Sequence, residues 1–94
     1  MATFIVSTYE DAKTQLRAFM DTLPHLPIYL LGSGKNSKTK LTDELQDDIE
    51  KADRTLYRDT IKQSPGFLDI YEVNSPRSIV SPAYVIDMNH ITQP

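Results

Sequence analysis

The residues best suited to chemistry in this 94-residue chain lie in one polar loop, at positions 32–40. Two glycines, three lysines and three hydroxyl side chains fall within these nine positions. A glycine-rich backbone can approach an anion closely, and its N–H groups bind phosphate oxygens together with lysine ammonium groups. The loop therefore predicts a site for a small anionic ligand, a nucleotide or a phosphate, at Gly32, Ser33, Gly34, Lys35, Ser37 and Lys38.

The loop does not fit the Walker A motif, G-x-x-x-x-G-K-[ST], when the motif is aligned on Gly34 and Lys35. Tyr29 then stands in place of the first glycine, and Asn36 in place of the hydroxyl that binds magnesium. The simpler interpretation is a solvated connector between two elements. Both interpretations of the loop stay open.

An acidic segment follows the loop, because residues 41–53 contain six acids and one lysine. A predicted helix begins near Thr42, and helical spacing places several of these carboxylates side by side. Such a face is either a solvated surface or a docking surface for a basic protein partner. In the second case the predicted contact residues are Asp43, Asp47, Glu50, Arg54 and Tyr57.

The residue types that other chemistries need are missing or scattered. The chain has no cysteine, which excludes disulfides, thiol catalysis and thiolate metal sites. Its two histidines, His25 and His90, lie far apart, and neither has a second ligand at helical spacing. No G-x-S-x-G motif is present. We therefore predict no catalytic residue set, no metal site and no cofactor.

Composition and charge narrow the class of protein. Hydrophobic residues make up 39% of the chain and charged residues 24%, which is ordinary for one globular domain spanning residues 1–94. The net charge of −3 disfavours a nucleic-acid binder. No apolar run reaches the roughly 18 residues of a membrane span. Together with the lack of cysteine, this predicts a cytoplasmic protein.

The hydrophobic pattern predicts elements in the order β-α-β-α-β-β. Strands are predicted in four segments rich in β-branched and aromatic residues, at 3–6, 27–31, 67–73 and 83–88. One helix is predicted to be capped by Ser7 and ended by Pro24, and a longer one to run from Thr42 to a stop at Ser64. Residues 89–94 are predicted to fray. The fold class is α/β, a single small domain with a four-stranded mixed sheet and two helices.

This element order resembles the front of a thioredoxin-like fold, which has a proline before its last strand where this chain has Pro82. The resemblance covers roughly residues 3–88 and rests on element order alone. It implies a cis-proline at Pro82. It also implies a scaffold without redox chemistry, because the family's cysteines would fall near residues 33–42 and this chain has none.

Two functions are predicted from these observations. The first is a small non-enzymatic module that docks on a partner protein and adapts or inhibits it, as compact accessory proteins of viruses do. The second is a binder of a small anionic ligand at the loop of residues 32–40. A third hypothesis, a small enzyme whose acid or base is Asp69, Glu72 or Asp87, has no further residue set to support it. The lack of a catalytic constellation favours the first.

Overall fold

A five-stranded parallel sheet organises the chain in the computed structural model, which describes residues 2–34 and 37–91. The strands are β1 (Ala2–Ile5), β2 (Ile28–Leu31), β3 (Thr55–Arg58), β4 (Asp69–Val73) and β5 (Tyr84–Asp87). The helices within these ranges are α1 (Tyr9–Asp21), α2 (Lys38–Glu44), α3 (Gln46–Lys51) and a 3-10 turn (Pro76–Ser78). The strand order in the sheet is β1-β5-β2-β4-β3, so β2 lies in the centre.

The predicted four-stranded mixed sheet is wrong in two respects, because the sheet has five strands and every pair is parallel. The additional strand, β3, lies inside the segment that was predicted to be helical as far as Ser64. Leu56 and Tyr57 suit either a helical stripe or a strand, and pairing with β4 decides between them. Leu56 lies opposite Ile70 in that register. The thioredoxin-like element order is therefore not confirmed, although the Ser81–Pro82 peptide bond is cis.

The helix boundaries also differ from those predicted. Thr8, not Ser7, caps α1, since the Thr8 hydroxyl accepts a 3.1 Å bond from the Asp11 N–H. The predicted long second helix is two short ones, which begin at Lys38. They stop before Asp53, whose φ of 55° is left-handed and cannot continue a right-handed helix.

The main hydrophobic core lies between the helices and one face of the sheet. Leu16 of α1 and Leu41 of α2 are fully buried there against strand residues that include Ile28. Because successive strand residues point to opposite faces, Tyr29 and Tyr71 belong to a second apolar cluster on the other face. The central strand β2 is buried along its whole length, as its continuous apolarity predicts.

The carboxyl ends of the five strands meet at one edge of the sheet, because all the strands run the same way. The loop that leaves β2 is held at this edge by backbone bonds to its neighbours: the Gly32 N–H donates to the Val73 carbonyl at 3.0 Å, and the Met88 N–H donates to the Leu31 carbonyl at 2.8 Å. The polar loop singled out in the sequence therefore lies beside the ends of β4 and β5. In the described ranges, no helix has the length and apolarity that crossing a membrane requires.

Candidate functional site

A cavity of about 350 Å³ opens at the carboxyl edge of the sheet. The loop after β2, the first turn of α2 and the ends of β3 and β4 form its wall. The residues that line it include Gly34, Lys38, Thr39, Arg58, Asp59, Glu72 and Asn74. Open parallel sheets commonly bind their ligands at this edge. The cavity also has the size of a small-molecule site.

Lys38 is a buried cation in this wall, with only 7% of its surface exposed. Its ammonium donates to the carbonyls of Gly32 at 2.5 Å and Ser33 at 3.2 Å, and to Oδ1 of Asn74 at 3.2 Å. These three acceptors are neutral oxygens. Burial lowers the pKa of Lys38, and the negative charge of Glu72 acts in the opposite direction. The result is a buried positive charge whose described acceptors do not neutralise it, which favours an anion in the adjoining space.

Thr39, the next residue, contacts an acid on β4. Its hydroxyl donates to Oε1 of Glu72 at 2.8 Å, and the hydroxyl of Thr42 donates to Oε2 at 2.9 Å. Adjacent ligands of an octahedral Mg²⁺ at about 2.1 Å are themselves about 3 Å apart. The oxygens of Thr39 and Glu72 therefore have the spacing of two neighbouring Mg²⁺ ligands.

The two oxygens of this pair cannot hold a cation by themselves. Among the residues that the structure describes, no group of three or more His, Cys, Asp or Glu side chains converges as a metal site. Mg²⁺ commonly takes one or two protein ligands and completes its shell with phosphate oxygens and water. The arrangement suits a cation that arrives with a phosphate ligand.

Arg58 closes the other side of the cavity. Its Nε donates to Oε2 of Glu72 at 2.7 Å, and its Nη2 donates to Oγ1 of Thr42 at 2.7 Å and to Oδ1 of Asp43 at 2.8 Å. The hydrogen bond to Glu72 is the main reason why the pKa of Arg58 is raised. Among the described residues, two cations therefore line the cavity together with Glu72.

The loop comes closer to the Walker A motif when the motif is aligned on Lys38 instead of Lys35. When the motif is aligned on Lys38, it begins at Gly32 and ends at Thr39, and Ser37 is the only departure from it. The φ of Ser37 is 75°, a left-handed conformation that favours glycine, the residue that the motif has there. Neither register gives a complete Walker A motif: the register of Lys38 departs from it at one position and the register of Lys35 at two.

The structure brings together most of the residues predicted to bind an anion. Gly34 and Lys38 line the cavity, and Gly32 and Ser33 supply carbonyl acceptors to the Lys38 ammonium. Ser37 lies at the start of α2. The sixth predicted residue, Lys35, lies outside the described residues.

Glu72 and Arg58 were missed as members of this site. The sequence does contain a signal for Glu72, because a carboxylate stands near the end of an otherwise apolar predicted strand. In the sequence analysis Glu72 is a candidate catalytic acid or base and not a residue of the anion site. Arg58 gave no such signal, since it was assigned to a helix, and only the pairing of β3 with β4 places Arg58 opposite Glu72.

Two of the residues predicted to bind a protein partner do not lie on the acidic helix face. Arg54 is 6% exposed and donates to the carbonyl of Leu26 at 3.0 Å. Burial lowers the pKa of Arg54. Tyr57 is half-buried and stacks on Tyr71 with 5.1 Å between ring centroids. Both side chains are occupied by contacts within the domain.

Ion pairs within the domain occupy part of the acidic face itself. Three carboxylates of the acidic segment pair with basic residues on other elements: Asp43 with Arg58, Glu44 with Lys13 and Asp48 with Arg17. Asp47 and Glu50 are exposed on α3. Docking of a basic partner on this face stays a prediction.

Comparisons of the chain with models of protein families, with curated proteins and with solved structures give no match. The geometry of the cavity is therefore the observation from which a function can be inferred.

Proposed function

We propose that this domain binds a nucleoside triphosphate together with Mg²⁺, with the phosphate chain in the cavity at the carboxyl edge of the sheet. The observation that carries the proposal is the buried ammonium of Lys38, bonded to neutral oxygens in the cavity wall. A phosphate oxygen is a stronger acceptor for an ammonium than a carbonyl oxygen. Phosphate can therefore replace the carbonyls of Gly32 and Ser33 as partners of Lys38.

The remaining parts of the cavity support a metal-bound phosphate chain in preference to a simple anion. Thr39 and Glu72 provide two oxygen ligands at the spacing that Mg²⁺ requires. A lone carboxylate would repel phosphate, whereas a carboxylate that holds Mg²⁺ attracts it. Aligned on Lys38, the sequence of the loop matches the Walker A pattern except at Ser37. In that pattern backbone N–H groups surround the phosphates and the lysine contacts the terminal ones. Of the two functions predicted from the sequence, this proposal corresponds to the second, a binder of a small anionic ligand.

The first experiment compares two lysine variants of the same helix. Lys38→Met removes the buried ammonium, and Lys40→Met removes an exposed one that lies 4.8 Å from the Tyr9 ring centre. A hydrogen bond to a charged group contributes about 1.5–3 kcal/mol, so Lys38→Met should weaken ATP binding by about 10- to 100-fold in isothermal titration with Mg²⁺. Lys40→Met should stay within about threefold of the unmodified chain.

Circular dichroism shows whether both variants keep their fold. Failure of the unmodified domain to bind ATP with Mg²⁺ at millimolar concentration would exclude the proposal, and so would equal losses in the two variants. Thermal melts give an independent reading, because a ligand at 100 times its dissociation constant adds about 2.7 kcal/mol to the free energy of unfolding.

A second titration separates a nucleotide from a bare phosphate chain. Tripolyphosphate carries the same phosphates as ATP but lacks the base and ribose. Weaker binding of tripolyphosphate than of ATP supports a nucleotide site, and equal affinity would restrict the site to polyphosphate.

A further inference from the structure

Arg58 is the cation among the described residues of the cavity to which the proposed function gives no role. Its guanidinium donates to Oε2 of Glu72, while Oε1 of the same carboxylate accepts from Thr39. Thr42 also donates to Oε2. Both oxygens of Glu72 are therefore occupied in the free protein, and one of the occupants is a cation.

A divalent cation and Arg58 compete for this carboxylate. The side chain of Glu72 is 7% exposed, so solvent screens the repulsion between two neighbouring cations only weakly. Once Mg²⁺ binds Glu72, the remaining described ion pair of Arg58 is with Asp43, whose side chain is 61% exposed. Exposed ion pairs are weak. The guanidinium then loses its main partner at the side of the cavity where the phosphate chain lies.

We propose that Arg58 is the residue by which this cavity distinguishes a nucleoside triphosphate from a diphosphate. Mg²⁺ takes over Glu72, and the released guanidinium contacts the terminal phosphate. This inference rests on the proposed function of the cavity and adds a specificity-determining residue to it. The planar guanidinium matches two phosphate oxygens at once, which a lysine cannot do.

The charges of the two nucleotides suit this exchange. Among the described residues of the free protein, Lys38 and Arg58 are accompanied by three acids: Glu72 and Asp43, which pair with Arg58, and Asp59, which also lines the cavity. A nucleoside triphosphate with Mg²⁺ brings a net charge of about −2, and a diphosphate with Mg²⁺ about −1. The triphosphate extends the chain by one phosphate group, and this third phosphate is the partner proposed for Arg58 that the diphosphate does not have.

Arg58 lies close to the proposed Mg²⁺ ligands. Nε of Arg58 lies 2.7 Å from Glu72, and the other oxygen of that carboxylate lies 2.8 Å from Oγ1 of Thr39. One carboxylate therefore separates the guanidinium from the hydroxyl proposed to bind Mg²⁺. We expect a phosphate bound to the same ion to come within reach of the long Arg58 side chain.

The test measures the dissociation constants of ATP and ADP with Mg²⁺ for the unmodified domain, Arg58→Gln and Arg17→Gln. Arg17 is the matched control, because it pairs with Asp48 on the helix side and does not line this cavity. Arg58→Gln should weaken ATP binding by about tenfold or more and change ADP binding by less than about threefold. Arg17→Gln should change neither constant by more than about threefold.

A second readout uses Mn²⁺ alone, followed by electron paramagnetic resonance. Removal of the guanidinium takes away the cation that competes for Glu72 and leaves Oε2 with the Thr42 hydroxyl as its described donor. Arg58→Gln should therefore bind Mn²⁺ more tightly than the unmodified domain does. If Arg58→Gln does not fold, Arg58→Lys keeps the charge and should still lose most of the preference for ATP, since its single ammonium cannot bind two phosphate oxygens together.

Equal weakening of ATP and ADP, or an unchanged ratio of the two constants, would overturn the inference while the nucleotide site stands. Unchanged or weaker Mn²⁺ binding by Arg58→Gln would overturn the release of Arg58 from Glu72. Failure of the unmodified domain to bind either nucleotide would instead remove the proposed function, and this inference with it.

Discussion

Thr39 and Glu72 lie 33 positions apart in the chain, and the hydroxyl of Thr39 donates a 2.8 Å hydrogen bond to the carboxylate of Glu72. Thr39 lies in the first turn of α2 and Glu72 near the end of β4. They meet because β2 and β4 are neighbours in the sheet, with Leu30 opposite Glu72 in the register. This one contact joins the segment that begins with the polar loop to an acid, and the proposed site for a metal-bound phosphate chain depends on it.

Removing the Thr39 hydroxyl should make nucleotide binding insensitive to Mg²⁺. Thr39→Val keeps the shape of the side chain and removes one of the two proposed ligands, whereas Thr39→Ser keeps the ligand. We expect Mg²⁺ to tighten ATP binding in the unmodified domain and in Thr39→Ser, but not in Thr39→Val. Titrations with Mg²⁺ and with a chelator measure the difference. An equal response to Mg²⁺ in all three proteins would contradict the prediction.

The affinity for ATP should fall at alkaline pH before an ordinary lysine titrates. Burial lowers the pKa of Lys38 from 10.5, and only the protonated ammonium attracts phosphate. Affinity should therefore be steady near neutral pH and decrease as the pH rises through the lowered pKa of Lys38. Lys40→Met should follow the same curve, while Lys38→Met should lack this decrease. If the ATP affinity of Lys38→Met fell with pH in the same way as that of the unmodified domain, the titrating group would not be Lys38.

The free energy of unfolding should also depend on the titration of Lys38, but it should increase with pH where the affinity for ATP decreases. Because the pKa of Lys38 is lower in the folded state, the unfolded chain binds this proton more tightly. The contribution of Lys38 to the free energy of unfolding therefore rises as the pH increases from its lowered pKa towards 10.5. Urea titrations across this window should show a smaller gain with pH in Lys38→Met than in Lys40→Met. Equal gains in the two variants would exclude Lys38 as the source.

Glycine should suit position 37 better than any other residue. The φ of Ser37 is 75°, and a left-handed conformation costs a residue with a β-carbon about 1–2 kcal/mol. The comparison is between Ser37→Gly and Ser37→Ala, since both lack the hydroxyl. Glycine also has the greater entropy in the unfolded chain, which offsets part of this advantage. Ser37→Gly should still be more stable than Ser37→Ala by about 1 kcal/mol in urea unfolding. Greater stability of the alanine variant would show that the backbone does not favour glycine there.

The hydroxyl of Tyr71 should stabilise the fold without affecting the ligand site. It donates a buried 2.8 Å bond to Oδ2 of Asp69, and burial together with this bond raises the pKa of Tyr71. Tyr71→Phe should cost about 1–2 kcal/mol, because Asp69 loses a partner in a buried position. Tyr57→Phe removes an exposed contact with Lys62 and should cost less than about 0.5 kcal/mol. The affinity for ATP should be unchanged in both variants. Equal losses of the free energy of unfolding in Tyr71→Phe and Tyr57→Phe would show that the buried bond to Asp69 does not stabilise the fold more than the exposed one.

The polar loop and four of the five strands could be predicted from the sequence, because their signals are local. An apolar run bounded by proline and glycine predicts β2, and the glycines and lysines that follow predict an anion site. The strand of residues 55–58 could not be predicted, since Leu56 and Tyr57 also continue a helical stripe. The partial match of the loop to the Walker A motif in the register of Lys38 is also hard to see, because Ser37 stands where the motif has glycine.

The sequence by itself determined the α/β class, the position of β2 in the interior of the sheet and the loop that should bind an anion. These follow from the order of apolar and polar residues along short segments, which local sterics and burial translate directly into structure. The tertiary structure alone decided that Glu72 and Arg58 join Lys38 and Thr39 around one cavity. That arrangement depends on which strands pair and in which register, and the free energy of pairing comes from contacts between segments far apart in the chain.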